Sequence, residues 1–263
     1  MIDNLDKIIP TLKCKHRKLK FLYVNSDIRG LTMEKKETGR HISKQFDLEL
    51  EEIRNKVLAM GGFVEYQILE AAKSLVDGDY DRAALVITND LKVNKDEIRI
   101  DEDCNYIIAR RQPTASDMRL VLAVIKIITD LERIGDLAGR IARMGQRLAE
   151  EDRPKNSYAE IQIMAEHVAG MLRGALDAFA RLDVKTAYDV ANRDLLVDEE
   201  FDGNLRQIVT HMSENPRSIS HMLHVAWTAR AIERIGDHAK NICEYVIYLV
   251  EGKDVRHTCL EEM

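Results

Sequence analysis

The segment Glu132-Arg-Ile-Gly-Asp136 occurs a second time as Glu233-Arg-Ile-Gly-Asp237, 101 residues further along the chain. Each copy is followed by one variable residue and an alanine (Ala138, Ala239), then by an isoleucine at matching distance (Ile141, Ile242). Five identical residues in a row, with matched flanks, mark an internal duplication. The spacing exceeds the roughly 20–50 residues of solenoid repeats, so it fits two copies of a small domain. Whatever fold one half adopts must therefore form twice.

Helix is the element that the pattern supports. The chain has only 4 Pro and 13 Gly among 263 residues, and its abundant Leu, Ala, Glu, Lys and Arg favour helix. From Ser43, the residues Phe46, Leu50, Ile53, Val57, Met60, Val64, Ile68, Ala71 and Leu75 recur by threes and fours. They predict one apolar stripe along about eight turns, with a bend expected at Gly61-Gly62. Asp77-Gly78-Asp79 ends it. A second helix is expected from about Tyr80 to Arg110, with Ala83, Val86, Ile87, Leu91, Ile98 and Ile107 on its apolar face. Pro113 breaks it, and Ser116 or Asp117 is placed to cap a third helix that ends near Glu150.

The second half repeats the plan. Helices are expected over 158–181, 184–211 and 218–250, broken at Leu182-Asp183 and around Pro216. Asp79 and Asp183 open equivalent helices at an offset of 104, and Asp90-Leu91 matches Asp194-Leu195 at the same offset. The expected fold is all-α, two tandem duplicated three-helix bundles with six long helices. Their bounds are 41–152 and 157–252, followed by a tail at 253–263. Residues 1–40 carry ten Lys and Arg against five Asp and Glu. They are read as a leader without a fold of its own, with Met33 as a rival start.

Glutamate and aspartate at i, i+4 lie one turn apart on one helix face and repel unless a cation separates them. Glu132/Asp136 and Glu233/Asp237 are thus candidate ligands for a hard or borderline cation. Gly135 and Gly236 cost helix stability, which calls for a reason such as close approach of a neighbouring helix. The second helix of each half is acidic, and Asp90, Asp194 and Asp198 could add oxygens. A rival reading is a salt-bridged stripe formed by Arg230, Glu233, Asp237, Lys240 and Glu244. His221, His224 and His238 read as exposed polar residues, and the single Trp227 as packing.

Several classes are disfavoured. The net charge is −6 despite the basic leader, which argues against nucleic acid as the main partner. Cys14, Cys104, Cys243 and Cys259 form no CxxC and read as reduced thiols in a cytoplasmic protein. No stretch reaches the roughly 20 apolar residues of a membrane span. No Walker A, G-x-G-x-x-G, G-x-S-x-G or H-E-x-x-H sequence occurs. A metal-dependent enzyme with iron or manganese at the paired carboxylates remains the alternative from another class.

The two E-R-I-G-D copies, Arg110-Arg-Gln-Pro-Thr-Ala-Ser-Asp117, His41-Ile-Ser-Lys-Gln-Phe46 and Met60-Gly-Gly62 resemble the PhoU family of bacterial phosphate-uptake regulators. The resemblance covers about residues 41–257. It implies two similar three-helix bundles, a homodimer and no catalysis. It implies partners too: the ATPase subunit of the phosphate importer and a phosphate-sensing histidine kinase, with repression of the phosphate-starvation response. Contact with membrane complexes would run only through those partners. Family metal sites map onto Glu132, Asp136, Glu233 and Asp237, and less directly onto Asp90, Asp194 and Asp198. The metal, whether iron, zinc, manganese or magnesium, is left open. Asn94 stands where the second copy has Asp198, so the two sites are expected to differ.

Overall fold

A computed structural model describes residues 44–149 and 158–255. The leader, its rival start at Met33, Cys14, Cys259 and the end of the tail lie outside the described residues. The first half is α1 (Lys44–Asp77), α2 (Tyr80–Arg111) and α3 (Ala115–Ala149). The second is α4 (Ala159–Arg181), α5 (Val184–Ala191), α6 (Asp194–Glu214) and α7 (Ile219–Glu251), with a 3₁₀ turn at Pro216–Ser218 before α7. The fold is the duplicated pair of three-helix bundles. One long helix differs in detail: the segment expected over 184–211 is interrupted at Asn192 and Arg193. There the Arg193 amide reaches Val190 O, three residues back. Among the described residues, no helix is long and apolar enough to cross a membrane.

The duplicated turns have matching chemistry. Asp79 caps α2 by accepting from the Arg82 amide at 2.9 Å, and Asp183 caps α5 by accepting from the Thr186 amide at 3.2 Å. Gly78 takes a left-handed φ of 69° between α1 and α2. The start of α3 falls before either candidate: the helix begins at Ala115, so Ser116 and Asp117 lie within its first turn. Thr114 precedes the helix, and its hydroxyl donates to Asp117 at 2.8 Å.

Every residue of the predicted α1 stripe is buried. At Gly61-Gly62, where a bend was expected, α1 runs on as one unbroken helix. Gly61 faces Leu176 of α4, where an added Cβ would lie 2.5 Å from a Leu176 methyl. That contact and the Arg54 guanidinium, which donates to Ala180 O at 2.7 Å, tie α1 to α4 between the bundles. The second tie is α3 against α7. Low numbers on α3 meet high numbers on α7: Asp130 meets His238, and Lys126 lies over Tyr245 and Tyr248. The two helices are antiparallel.

The expected apolar face of α2 holds at Ala83, Val86 and Ile107 and fails in its middle. Leu91 and Ile98 are exposed, and the core takes Val86, Val93, Ile100 and Ile107, a strict repeat of seven. The companion row is Ala83, Asp90, Glu97 and Cys104. Two carboxylates thus stand where a helix seam would ordinarily carry apolar side chains. Cys104 and Cys243 are buried and unpaired, and burial pushes both thiols up to about 12, so neither is a ready nucleophile.

Close packing of α1 on α3 depends on Gly145, whose added Cβ would meet Leu75 Cα at 3.1 Å. Backbone cannot yield as a side-chain tip can. Gly145→Leu should cost about 1–3 kcal/mol or more in urea unfolding, whereas the same change at Gly62, which faces open space, should cost far less.

Candidate functional site

Each bundle places an acidic stretch of its second helix across the repeated motif on its third. In the first half, Asp90 of α2 packs against Gly135 of α3. An added Cβ there would sit 3.2 Å from Val93 Cγ1 and 3.5 Å from Asp90 Oδ1. In the second half, Gly236 of α7 faces Val197 Cγ1 at 3.5 Å and Asp194 Oδ1 at 3.3 Å. The glycine before each aspartate therefore has the reason its helix cost demanded. It lets a carboxylate-bearing helix approach the motif, by the same geometry twice.

The first cluster joins Asp90, Glu97, Glu132 and Asp136. Burial comes first in raising the Asp90 carboxyl above its ordinary value, and Asp136 adds to it while Arg143 opposes. Glu132 is raised by burial first and then by Asp136, with smaller additions from Glu97 and Asp90. The cations beside this group are both exposed: Arg133 lies 3.6 Å from Glu132, and Arg143 acts on Asp90. Asp90 Oδ1 and Asn94 Oδ1 are buried without a hydrogen-bond partner.

The second cluster joins Asp194, Asp198, Glu233 and Asp237 and is deeper. Asp194 is 2% exposed and Glu233 7%. Glu233 is buried because α6 covers that side of α7. Its carboxyl is pushed up to about 7, by burial first and then by Asp237, with Arg230 opposing. Asp237 is raised by burial and by Asp194, and Asp198 by burial, Asp194 and Asp237. Both keep solvent contact, so water screens these effects.

Here the salt-bridged stripe is partly present. Arg230 pairs with Glu233, and Lys240 Nζ donates to Asp194 Oδ2 at 2.9 Å. Burial is the largest influence on Lys240 and works against its charge, but the hydrogen bond and charge of Asp194, with the charges of Glu244 and Asp198, together outweigh it and raise the pKa. The counterparts of Arg230 and Lys240 in the first half are Thr129 and Gly139. The second cluster is thus offset by Arg230 and Lys240, while the first has exposed cations instead, Arg133 beside Glu132 and Arg143 over Gly139. Even in the second, Asp194 Oδ1 and Glu233 Oε2 are buried without a partner.

Hard oxygen donors, mutual repulsion and orphaned acceptors fit a cation in chemical type. As they stand, though, no three His, Cys, Asp or Glu side chains among the described residues are gathered closely enough to hold one.

A model of the PhoU domain matches this chain twice, at residues 57–144 and 161–246, one match per bundle. The chain belongs to the PhoU family. It is 49% identical to the phosphate-specific transport system accessory protein PhoU homolog of Pseudomonas putida over 231 residues, 88% of this chain and 90% of that protein. It is 43% identical to the phosphate-specific transport system accessory protein PhoU of Escherichia coli (strain K12) over 88% of this chain and 95% of that one. The crystal structure of PhoU from Pseudomonas aeruginosa superposes with a TM-score of 0.77 at 48% identity, covering 80% of this chain and all of that one.

Three sequence expectations need correction within this PhoU fold. Trp227 is not packing; it is 62% exposed on α7. His221 is buried, and its Nε2 lies 2.9 Å from Tyr158 Oη. His238 is half-buried, with Nδ1 2.6 Å from Asp130 Oδ1, which also accepts from Asn241 at 3.3 Å. Asp130 had gone unnoticed because nothing in its local pattern separates it from an exposed helix residue. The signal was in its partner: His238 replaces Leu137 of the first copy, at a point where the copies otherwise agree.

Proposed function

We propose that the chain is a non-catalytic, cytoplasmic adaptor. It would couple the high-affinity phosphate importer, through the ATPase subunit, to a phosphate-sensing histidine kinase, and so hold down the phosphate-starvation response when phosphate is plentiful. The observation that carries this reading is the pair of PhoU-domain matches together with relatives named as phosphate-specific transport system accessory proteins, aligned along about nine-tenths of their length. Helices of two bundles with broad exposed faces are suited to contact rather than turnover. A homodimer would double those faces.

The clusters at Asp90, Glu132 and Asp136 and at Asp194, Asp198, Glu233 and Asp237 would hold metal ions, of iron, zinc, manganese or magnesium type. A bound cation supplies charge neutralisation, and these residues would use it to pin α2 to α3 and α6 to α7. The first cluster, flanked by exposed arginines, and the Lys240-occupied second one would differ in affinity. Changing Glu132, Asp136, Glu233 and Asp237 together to alanine should remove bound metal, read by elemental analysis, with helicity intact by circular dichroism. Unchanged metal content would count against the assignment.

The adaptor role is tested by capture from cells grown at high and low phosphate with a tagged full-length chain. Recovery of the importer's ATPase subunit and the kinase is expected. Their absence under both conditions would contradict the coupling.

A further inference from the structure

The seam between α3 and α7 has two ends related by the duplication, and they are built differently. Adding 101 to an α3 number gives its α7 counterpart, so each end can be compared with the other position by position. At one end sit Lys126, Asp130 and Arg133 of α3 with His238, Asn241 and Tyr245 of α7. That end is closed from within: Asp130 accepts from Asn241 and faces His238, and Lys126 lies over the Tyr245 and Tyr248 rings. The counterparts of Lys126 and Asp130 are Trp227 and Ala231, and the counterparts of His238, Asn241 and Tyr245 are Leu137, Arg140 and Met144. No internal network can form from that set.

What forms instead is an open cleft of about 160 Å³. Its floor is Leu137, Ile141, Met144 and Ala231, and its rim is Trp227, Arg140, Arg230 and Arg234. All three arginines are exposed. Arg230 shares its charge with Glu233, while neither Arg140 nor Arg234 has a carboxylate partner among the described residues. Along α7 the apolar surface continues toward the N-terminus through exposed Leu223 and Ile219, at i−4 and i−8 from Trp227. From Ile219 to Arg234 the strip is about 22 Å long at 1.5 Å per residue.

We propose that this cleft is a docking site for an acidic, amphipathic segment of a partner protein, with an apolar side chain seated beside Trp227 and carboxylates on Arg140 and Arg234. Three features favour that occupant. A tryptophan largely in water on a folded surface, beside arginine, is the composition of interface anchors. Two uncompensated guanidinium groups on a chain of net charge −6 make a local field that draws carboxylates. The length of the strip suits a helical segment rather than a small anion, which would need only the arginines. The site lies at the outer rim of the seam rather than in the carboxylate clusters. It deepens the adaptor reading by naming the face and the chemistry of one partner contact, and it rests on that reading only for its biological use.

Trp227 is the only tryptophan in the chain, so its fluorescence reports on the cleft directly. The titration uses full-length protein and a synthetic helical Glu/Leu peptide, with the matched Lys/Leu peptide, inorganic phosphate and a single-stranded oligonucleotide as comparisons. The acidic peptide should shift Trp227 emission saturably, and added salt should weaken it. Arg140→Glu and Arg234→Glu should each weaken it roughly tenfold, and Arg206→Glu, on the exposed side of α6, should not. No response to the acidic peptide would overturn the proposal. So would an equal response to phosphate or to the oligonucleotide, which would make the cleft a general anion site. A change of oligomeric state in the Arg140→Glu or Arg234→Glu protein, by light scattering, would also overturn it and assign the face to a second copy. Because the titration needs no importer or kinase, its failure leaves the adaptor role standing, and loss of that role leaves the titration readable.

Discussion

Replacing Lys240 by methionine should destabilise the metal-free protein by about 3 kcal/mol in chelator-treated urea unfolding. The side chain is half-buried, and it is the group that donates to Asp194, which is 2% exposed and faces Asp198, Glu233 and Asp237. Removing one partner of a buried pair leaves the other charge uncompensated, a loss of about 3–5 kcal/mol, placed at the low end because Lys240 keeps some solvent. The double change Lys240→Met with Asp194→Asn should cost less than Lys240→Met alone, since the stranded charge is gone. Additive losses would mean that the two side chains do not act on each other. The first half has Gly139 at the position of Lys240, so no equivalent substitution exists there.

Stability of the metal-free protein should fall as pH rises toward neutrality, and Glu233 should be a large part of the reason. Its carboxyl is raised from 4.5 to about 7 in the folded chain. Between those values the folded protein keeps a proton that the unfolded chain has released. The stabilisation is therefore complete below about 4.5 and is lost as pH rises through about 7. One such group accounts for about 2–3 kcal/mol after allowance for solvent. Asp90, Glu132, Asp198 and Asp237 are shifted in the same direction and steepen the slope. Glu233→Gln keeps the shape without the charge, so it should stabilise the metal-free protein at neutral pH and flatten the curve. If the variant and the parent lose stability in parallel, the burial of Glu233 has been misjudged. A bound cation would reverse the sign by favouring the ionised carboxylates.

How far the sequence carried these conclusions depends on where information is local. The duplicated motif and the three-residue and four-residue spacing of α1 are local, and they yielded the bundles, the turns and the paired carboxylates. The register of α2 was harder. Leu91 and Ile98 compete with Val93 and Ile100 for the core, and only the partner helices decide which row turns inward. That decision is what places Asp90 and Glu97 in a seam. The glycine of each motif was legible as a cost but not as a contact, because Asp90 and Asp194 come from another helix. Trp227 was misread for a related reason: an aromatic residue on an amphipathic helix packs by default, and its exposure follows from the α3 side chains opposite. The repeat held an unread clue, since the copies differ at Lys126/Trp227, Asp130/Ala231 and Leu137/His238, the positions where one end of the seam closes and the other stays open.

The regulatory role is tested most directly in a strain that lacks this chain and is grown with ample phosphate. Expression of a phosphate-scavenging enzyme is the readout. The account predicts that expression rises without the chain and returns to the repressed level when the full-length chain is supplied in trans. Normal repression in the deletion strain would contradict it.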